Sequence, residues 1–290
     1  MYRNLIDLTR RTFRLLLVPG LIAALGAGAL HSAASAAEPD AAETRAHASL
    51  ALDPPDWDSA REAFTEAAEA GSPTAMSYLG WMYEEGKGVP QDGARAAEWY
   101  ARAAKAGAQE FAVKLGWMYL GGQGVDRDRV QAEAWFLSAI DADYAPARVA
   151  WASVLIADAQ GGRAPDRVFE ARELLDDALQ QGQVLAAYFL ARLYTEGIGD
   201  HPVDDDAAAR YTRIGAEQGH ARMQAWLALM YTEGRGVEAN PVSATKWASL
   251  SAADGDDLGN RIRLVLEEQL TPEALREARQ RAVDWAVARP

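Results

Sequence analysis

Leu79-Gly80-Trp81-Met82-Tyr83 returns thirty-six residues later as Leu115-Gly116-Trp117-Met118-Tyr119. Two further stretches keep the frame, Leu190-Ala191-Arg192-Leu193-Tyr194 and Leu227-Ala228-Leu229-Met230-Tyr231. Each is followed by a Gly-x-Gly turn: Gly86–Gly88, Gly122–Gly124, Gly197–Gly199 and Gly234–Gly236. Sixteen or seventeen residues after each tyrosine comes a second aromatic, Trp99, Trp135, Tyr211 or Trp247. Eight residues further on, the unit closes at Gly107, Asp143, Gly219 and Gly255. Self-similarity at a fixed period of this length marks a repeat architecture. A weaker fifth copy sits between the second and third, where Trp151 and Leu155 keep the apolar spacing. Its longer turn, Gly161-Gly162-Arg163-Ala164-Pro165, accounts for the 39-residue step from Leu155 to Tyr194.

Within a copy the apolar residues recur at three- and four-residue steps, which places them on one face of a helix. Ala75, Leu79, Met82 and Tyr83 form such a face in a first helix; Ala96, Trp99, Tyr100, Ala103 and Ala104 form one in a second. One helix pair has too little apolar surface to stand alone, so pairs must stack and lend each other cover. The column Trp99, Trp135 and Trp247 is predicted to be core. Gly80 and Gly116, unfavourable inside a helix by about 1 kcal/mol each, are expected where another backbone comes close. The Gly-x-Gly turns are expected to need positive φ.

These residues resemble the Sel-1-like repeat family, relatives of the tetratricopeptide repeats. The family pattern runs A-x-x-x-L-G-x-x-Y-x-x-G-x-G-V and then A-x-x-W-Y-x-x-A-A-x-x-G. The first copy follows it at Ala75, Leu79, Gly80, Tyr83, Gly86, Gly88, Val89, Ala96, Trp99, Tyr100, Ala103, Ala104 and Gly107. The resemblance covers about residues 57–255. It implies an all-α fold, a right-handed α/α solenoid of tandem two-helix repeats with helical caps.

The map expected on this basis is a signal peptide at 1–37, a linker or degenerate capping helix at 38–56 and a solenoid at 57–257. Its repeats fall near 71–106, 107–142, 143–181, 182–218 and 219–254, and capping helices follow at 258–290. Residues 41–52 and 57–70 read as an opening helix pair split by Pro54-Pro55. Near the other end, Thr271-Pro272-Glu273 reads as a helix start, with Thr as N-cap and Pro at the first helical position.

Residues 1–37 read as an export address. Arg3, Arg10, Arg11 and Arg14 precede an apolar run at 15–30, and Ala34-Ser35-Ala36 supplies an A-x-A exit with cleavage near Ala36-Ala37. Thr9-Arg10-Arg11-Thr12-Phe13 also resembles a twin-arginine signal, although Arg14 departs from the apolar residue which that motif prefers. The expected product is periplasmic or secreted, with no membrane span once the signal is removed.

The formal net charge is −13, from 29 Lys+Arg against 42 Asp+Glu. No Lys/Arg-rich block is present, which argues against nucleic-acid binding. There is no cysteine, so disulfides, thiol catalysis and Cys-ligated zinc are excluded. His47, His201 and His220 stand in no H-x-x-H or H-E-x-x-H spacing, and neither metal nor cofactor is expected. His201 and His220 read as solvated loop residues, and Asp204-Asp205-Asp206 as helix-start charge. Ser243-Ala244-Thr245-Lys246 fits S-x-x-K, but its companions S-D-N and K-T-G are missing, and it reads as a coincidence within a second helix.

Some first-helix positions are not fixed by the repeat pattern. One column reads Tyr78, Lys114, Ala150, Phe189 and Trp226; the next reads Trp81, Trp117, Ser153, Arg192 and Leu229. In related helical-repeat proteins first helices line the concave surface, and the resemblance implies the same here. Tyr78, Trp81, Lys114, Trp117, Phe189, Arg192, Trp226 and Leu229 are therefore the candidate groove for a protein or peptide of the cell envelope. These residue types dominate interface hot spots. The same positions also suit packing between repeats.

The reading that follows is an exported scaffold for protein–protein interaction, not an enzyme. The resemblance implies regulation of envelope signalling, or exopolysaccharide and envelope assembly. Two alternatives stay open at this point: a cell-wall or β-lactam hydrolase, and a glycan-binding module in which Trp81 and Trp117 stack on sugars.

Overall fold

The structure, a computed structural model, describes residues 41–288. Among them are fourteen α-helices, one 3-10 turn and no strand. The chain divides into two compact units at 132/133, each described by itself.

The first unit carries α1 (Ala41–Leu50), α2 (Trp57–Glu69), α3 (Pro73–Glu85), α4 (Gly93–Lys105), α5 (Gln109–Gly121) and the start of α6 (Arg129–Asp141). From α1 to α5 each helix packs on the next. The second unit carries the rest of α6, α7 (Ala145–Gln160), the 3-10 turn Pro165–Arg167, α8 (Val168–Gln180), α9 (Val184–Glu196), α10 (Asp205–Glu217), α11 (Ala221–Glu233), α12 (Pro241–Ala253), α13 (Asp257–Gln269) and α14 (Pro272–Val287). Helices pack in order from α7 to α13, and α13 also touches α11, as one first helix touches the next. The last helix breaks the series. Instead of pairing with α13, α14 lies back on α12.

Local chemistry sets the helix ends. First helices stop at Gly86, Gly122, Gly197 and Gly234, each left-handed, with its N–H donated to the carbonyl of Met82, Met118, Leu193 or Met230. Second helices start at a short polar cap: the side chains of Asp92, Asp128, Asp204 and Asn240 each accept from a backbone N–H three residues on. A helix leaves its first N–H groups without internal partners, and such caps satisfy one of them. Thr271 caps α14 in the same way, with Pro272 at its first turn.

The first-helix face is core as expected: Ala75, Leu79 and Met82 are buried, and so are Leu115, Leu190 and Leu227 in the other copies. In the degenerate copy Trp151 and Leu155 are fully buried.

Two expectations about packing are corrected. Gly80 is not met by another backbone. A Cβ there would stand 2.6 Å from Cε1 of the Tyr100 ring, so the glycine makes room for an aromatic of its own repeat's second helix. The tryptophan column is not uniformly core either. Trp99 and Trp135 are half-buried, and the fully buried aromatics are their neighbours Tyr100 and Phe136. Trp99 lies on the outer side with the Arg102 guanidinium 4.2 Å from its ring centre. Trp247 is buried because α14 covers it, setting Trp285 edge-on at 5.5 Å.

Candidate functional site

In the first unit the aromatic column packs onto the preceding pair. Tyr78 stacks on Phe64 with ring centres 4.7 Å apart and takes the His47 ring edge-on at 4.9 Å. Trp81 is half-buried and tilted against Trp57 at 6.1 Å. Lys114 of α5 donates to Glu84 of α3 at 2.6 Å. The Tyr100 hydroxyl donates to the same carboxylate oxygen at 2.6 Å, while the Lys114 ammonium lies 4.5 Å from the Tyr100 ring centre. Burial first, and then the Glu84 carboxylate, push the Tyr100 phenol well above its usual range. Trp117 is half-buried.

In the second unit Phe189 and Leu229 are buried, 5% and 7% exposed, and do not belong to an accessible face. Ala150 is buried as well. Ser153 is half-buried, its hydroxyl turned to the Ala150 carbonyl at 2.7 Å. Arg192 grips Glu196 through two bonds of 2.9 and 3.2 Å and approaches the Tyr188 ring at 6.0 Å. Trp226 is half-buried and stacks on Tyr188 at 5.1 Å. Arg192 and Trp226 are thus brought together through Tyr188, which is absent from the candidate groove because Phe189 occupies the aligned position. A tyrosine four residues before Arg192 shares its helix face, and that spacing was the available signal.

His201 is buried and His220 is half-buried, so neither stands free in solvent. His201 is 5% exposed, held between Tyr194 and Phe169, with Nδ1 2.9 Å from the Pro202 carbonyl. His220 stacks on Tyr188, and its Nδ1 is buried without a hydrogen bond. Burial pushes both imidazoles below the ordinary value of 6.5. Among the described residues no cluster of His, Asp and Glu is placed to hold a metal ion.

A second feature is an open cleft of about 510 Å³ under α14. Trp247 forms its floor. Tyr231, Ser243, Lys246 and Trp285 are half-buried in its walls, and Arg213, Glu217, Arg281 and Asp284 stand exposed at its rim. Ser243 and Lys246 share a helix face three residues apart and both open into the cleft. The second-helix tetrapeptide that reads as chance in the sequence is therefore a surface feature. Trp285, Arg281 and Asp284 read only as capping residues, because nothing in the sequence shows that α14 doubles back.

With this geometry in view, similarity to known proteins decides the family. The Sel1 repeat matches residues 73–107, 110–144, 184–220 and 221–256. The chain belongs to the Sel1-repeat family. The unmatched interval holds the degenerate copy with Trp151. Sel1 repeats build scaffolds, generally for protein–protein interaction. Among solved structures, the chain is similar to c5321, a protective antigen of uropathogenic Escherichia coli strains with an SLR fold, at 26% identity over 80% of the chain with a TM-score of 0.66. It spans only 49% of that protein's length. It is also similar in fold to a Sel1 repeat protein from Oxalobacter formigenes, at 23% identity and a TM-score of 0.59, covering 77% of this chain and 93% of the other. No curated protein sequence matches it.

Proposed function

We propose that this Sel1-repeat chain is an exported scaffold that binds an envelope protein or peptide through the first helices of its second unit. The observation that carries the proposal is the half-buried Tyr188–Trp226 stack flanked by Arg192. Aromatic and arginine side chains that keep part of their surface in water are the residues from which interface anchors are built. The buried Phe189 and Leu229 support this face from below. Export rests on residues 1–37, which lie outside the described residues. Among those described, no helix is long and apolar enough to cross a membrane. The partner, not the scaffold, supplies any chemistry.

A photo-crosslinking amino acid at position 226, with the same probe at exposed Val283 as control, tests the surface in the native host. A discrete adduct at 226 that is absent at 283 is expected. No adduct at 226, or the same pattern at both positions, overturns the assignment. N-terminal sequencing of the periplasmic fraction should find a chain beginning near Ala37; an uncleaved cytoplasmic chain removes the export half of the proposal.

A further inference from the structure

The cleft under α14 holds a charge that the fold leaves unmatched. The Lys246 ammonium lies 4.1 Å from the Trp247 ring centre and 6.0 Å from that of Trp285. Among the described residues it has neither a hydrogen-bond nor an ion-pair partner. Among the described residues the Ser243 hydroxyl beside it makes no side-chain hydrogen bond either, while its backbone N–H donates to the Asn240 side chain. The rim charges are more committed. Arg281 is paired with Glu277 at 2.6 Å, Asp284 accepts from Gln280 at 2.8 Å, and Arg213 donates to the Tyr231 hydroxyl at 3.3 Å. Glu217 attracts the ammonium from α10 and Arg281 repels it from α14, while burial weighs more than either and holds the amine below its usual range.

The residue type is itself informative. The chain has 25 arginines and four lysines, Lys87, Lys105, Lys114 and Lys246. Lys114 is matched by Glu84. Lys246 is the sole lysine of the second unit, and a compact point charge stands there in place of a guanidinium fork.

We propose that the cleft binds a monocarboxylate carried on an apolar or planar body, with the carboxylate on Lys246 and Ser243 and the body against Trp285 and Trp247. The lining carries three cations, Arg213, Lys246 and Arg281, against two carboxylates, Glu217 and Asp284. Arg281 is already paired with Glu277, so one negative charge matches the single unpaired ammonium of Lys246, whereas a phosphate dianion would exceed it and face both rim carboxylates. The volume lies within the roughly 300–1,000 Å³ of small-ligand sites, and a ring on Trp285 adds the geometry that aromatic pairs favour. A free small acid and the C-terminal end of a peptide share this chemistry. The cleft goes beyond the docking face on α9 and α11 and is tested separately from it.

The test uses purified protein with its four lysines reductively methylated with carbon-13, which keeps their charge and gives each an NMR signal. Lys246→Arg assigns the signal of interest. The probes are N-acetylphenylalanine, acetyl-Ala-Ala-Phe with a free carboxylate, and the amide of each. Both acids, but neither amide, should move the Lys246 resonance and raise its titration midpoint. Lys246→Met should weaken binding of the acids about tenfold or more, the scale of one charge-assisted contact, while Lys105→Met leaves it unchanged. Tighter binding of the tripeptide assigns the cleft to peptide ends, and tighter binding of the single residue assigns it to free acids. Equal binding of acid and amide, full affinity in Lys246→Met, or no response of the Lys246 signal at about 10 mM acid, a concentration at which even a millimolar site fills, overturns the proposal.

Discussion

Gly80 lies under the ring of Tyr100, close enough that a single added carbon would meet the ring edge at 2.6 Å. The ring has nowhere to go, because it is 1% exposed and its hydroxyl is anchored on Glu84. In a solvated helix Gly→Ala stabilises by about 1 kcal/mol. At this position the overlap wins, and Gly80→Ala is expected to lose about 1–3 kcal/mol. In a Tyr100→Leu background the same change should turn neutral or stabilising. Thermal melts of the four proteins form the cycle that checks it.

The inward and the outward aromatic of the second helices should differ sharply, Phe136 on α6 against Trp99 on α4. Phe136 is fully buried and stacks on Trp151 at 5.5 Å. Phe136→Ala is expected to cost about 3–5 kcal/mol. Trp99 keeps a face in water and holds Arg102 over the other, so Trp99→Ala should cost about 1 kcal/mol. Urea unfolding of the two variants ranks them, and equal losses would contradict the burial described here.

Gly88 combines a left-handed backbone, φ 68°, with close contact to Trp57 of α2. Gly88→Val adds a β-branched side chain where φ disfavours it and where the Trp57 side chain already stands. A loss of about 2 kcal/mol or more is expected from strain and overlap together. A far-ultraviolet melt with an unchanged midpoint would contradict it.

The buried imidazole of His201 and the half-buried one of His220 make stability depend on pH in a definite direction. Their folded values lie below 6.5, so between the folded value and 6.5 the unfolded chain binds more protons. Stability then rises with pH across that window. The contribution is complete above about 6.5 and is lost as pH falls through that value toward the folded one. Melting midpoints should decline from pH 7 to pH 5, and His201→Gln should show a shallower decline than the parent. An identical slope in the variant would remove His201 from the account.

Much of this fold is written plainly in the chain. The thirty-six-residue step, the Gly-x-Gly turns and the Thr271-Pro272 start are local signals, and local signals survive folding unchanged. What the chain conceals depends on partners distant in sequence. Trp99 and Tyr100 sit within one wide apolar stripe, and only the neighbouring helices decide which of them turns inward. Phe189 aligns with Tyr78 and yet goes to the core, while Tyr188 takes the half-open place. His201 follows a turn, where solvent is the natural expectation, but Tyr194 and Phe169 close over it. The cleft is hidden most completely, since its walls come from three helices and its lid from a fourth that leaves the repeat register.

The reversal of α14 onto α12 has a practical consequence for anyone averaging these copies into an idealised repeat. The aligned aromatics Trp99, Trp135 and Trp247 look interchangeable on paper, but only the last is sealed, and by a helix that occurs once. A consensus array that kept tryptophan throughout would present a row of half-bare indoles, an invitation to self-association that the natural molecule meets with arginine on one and a folded-back helix on another.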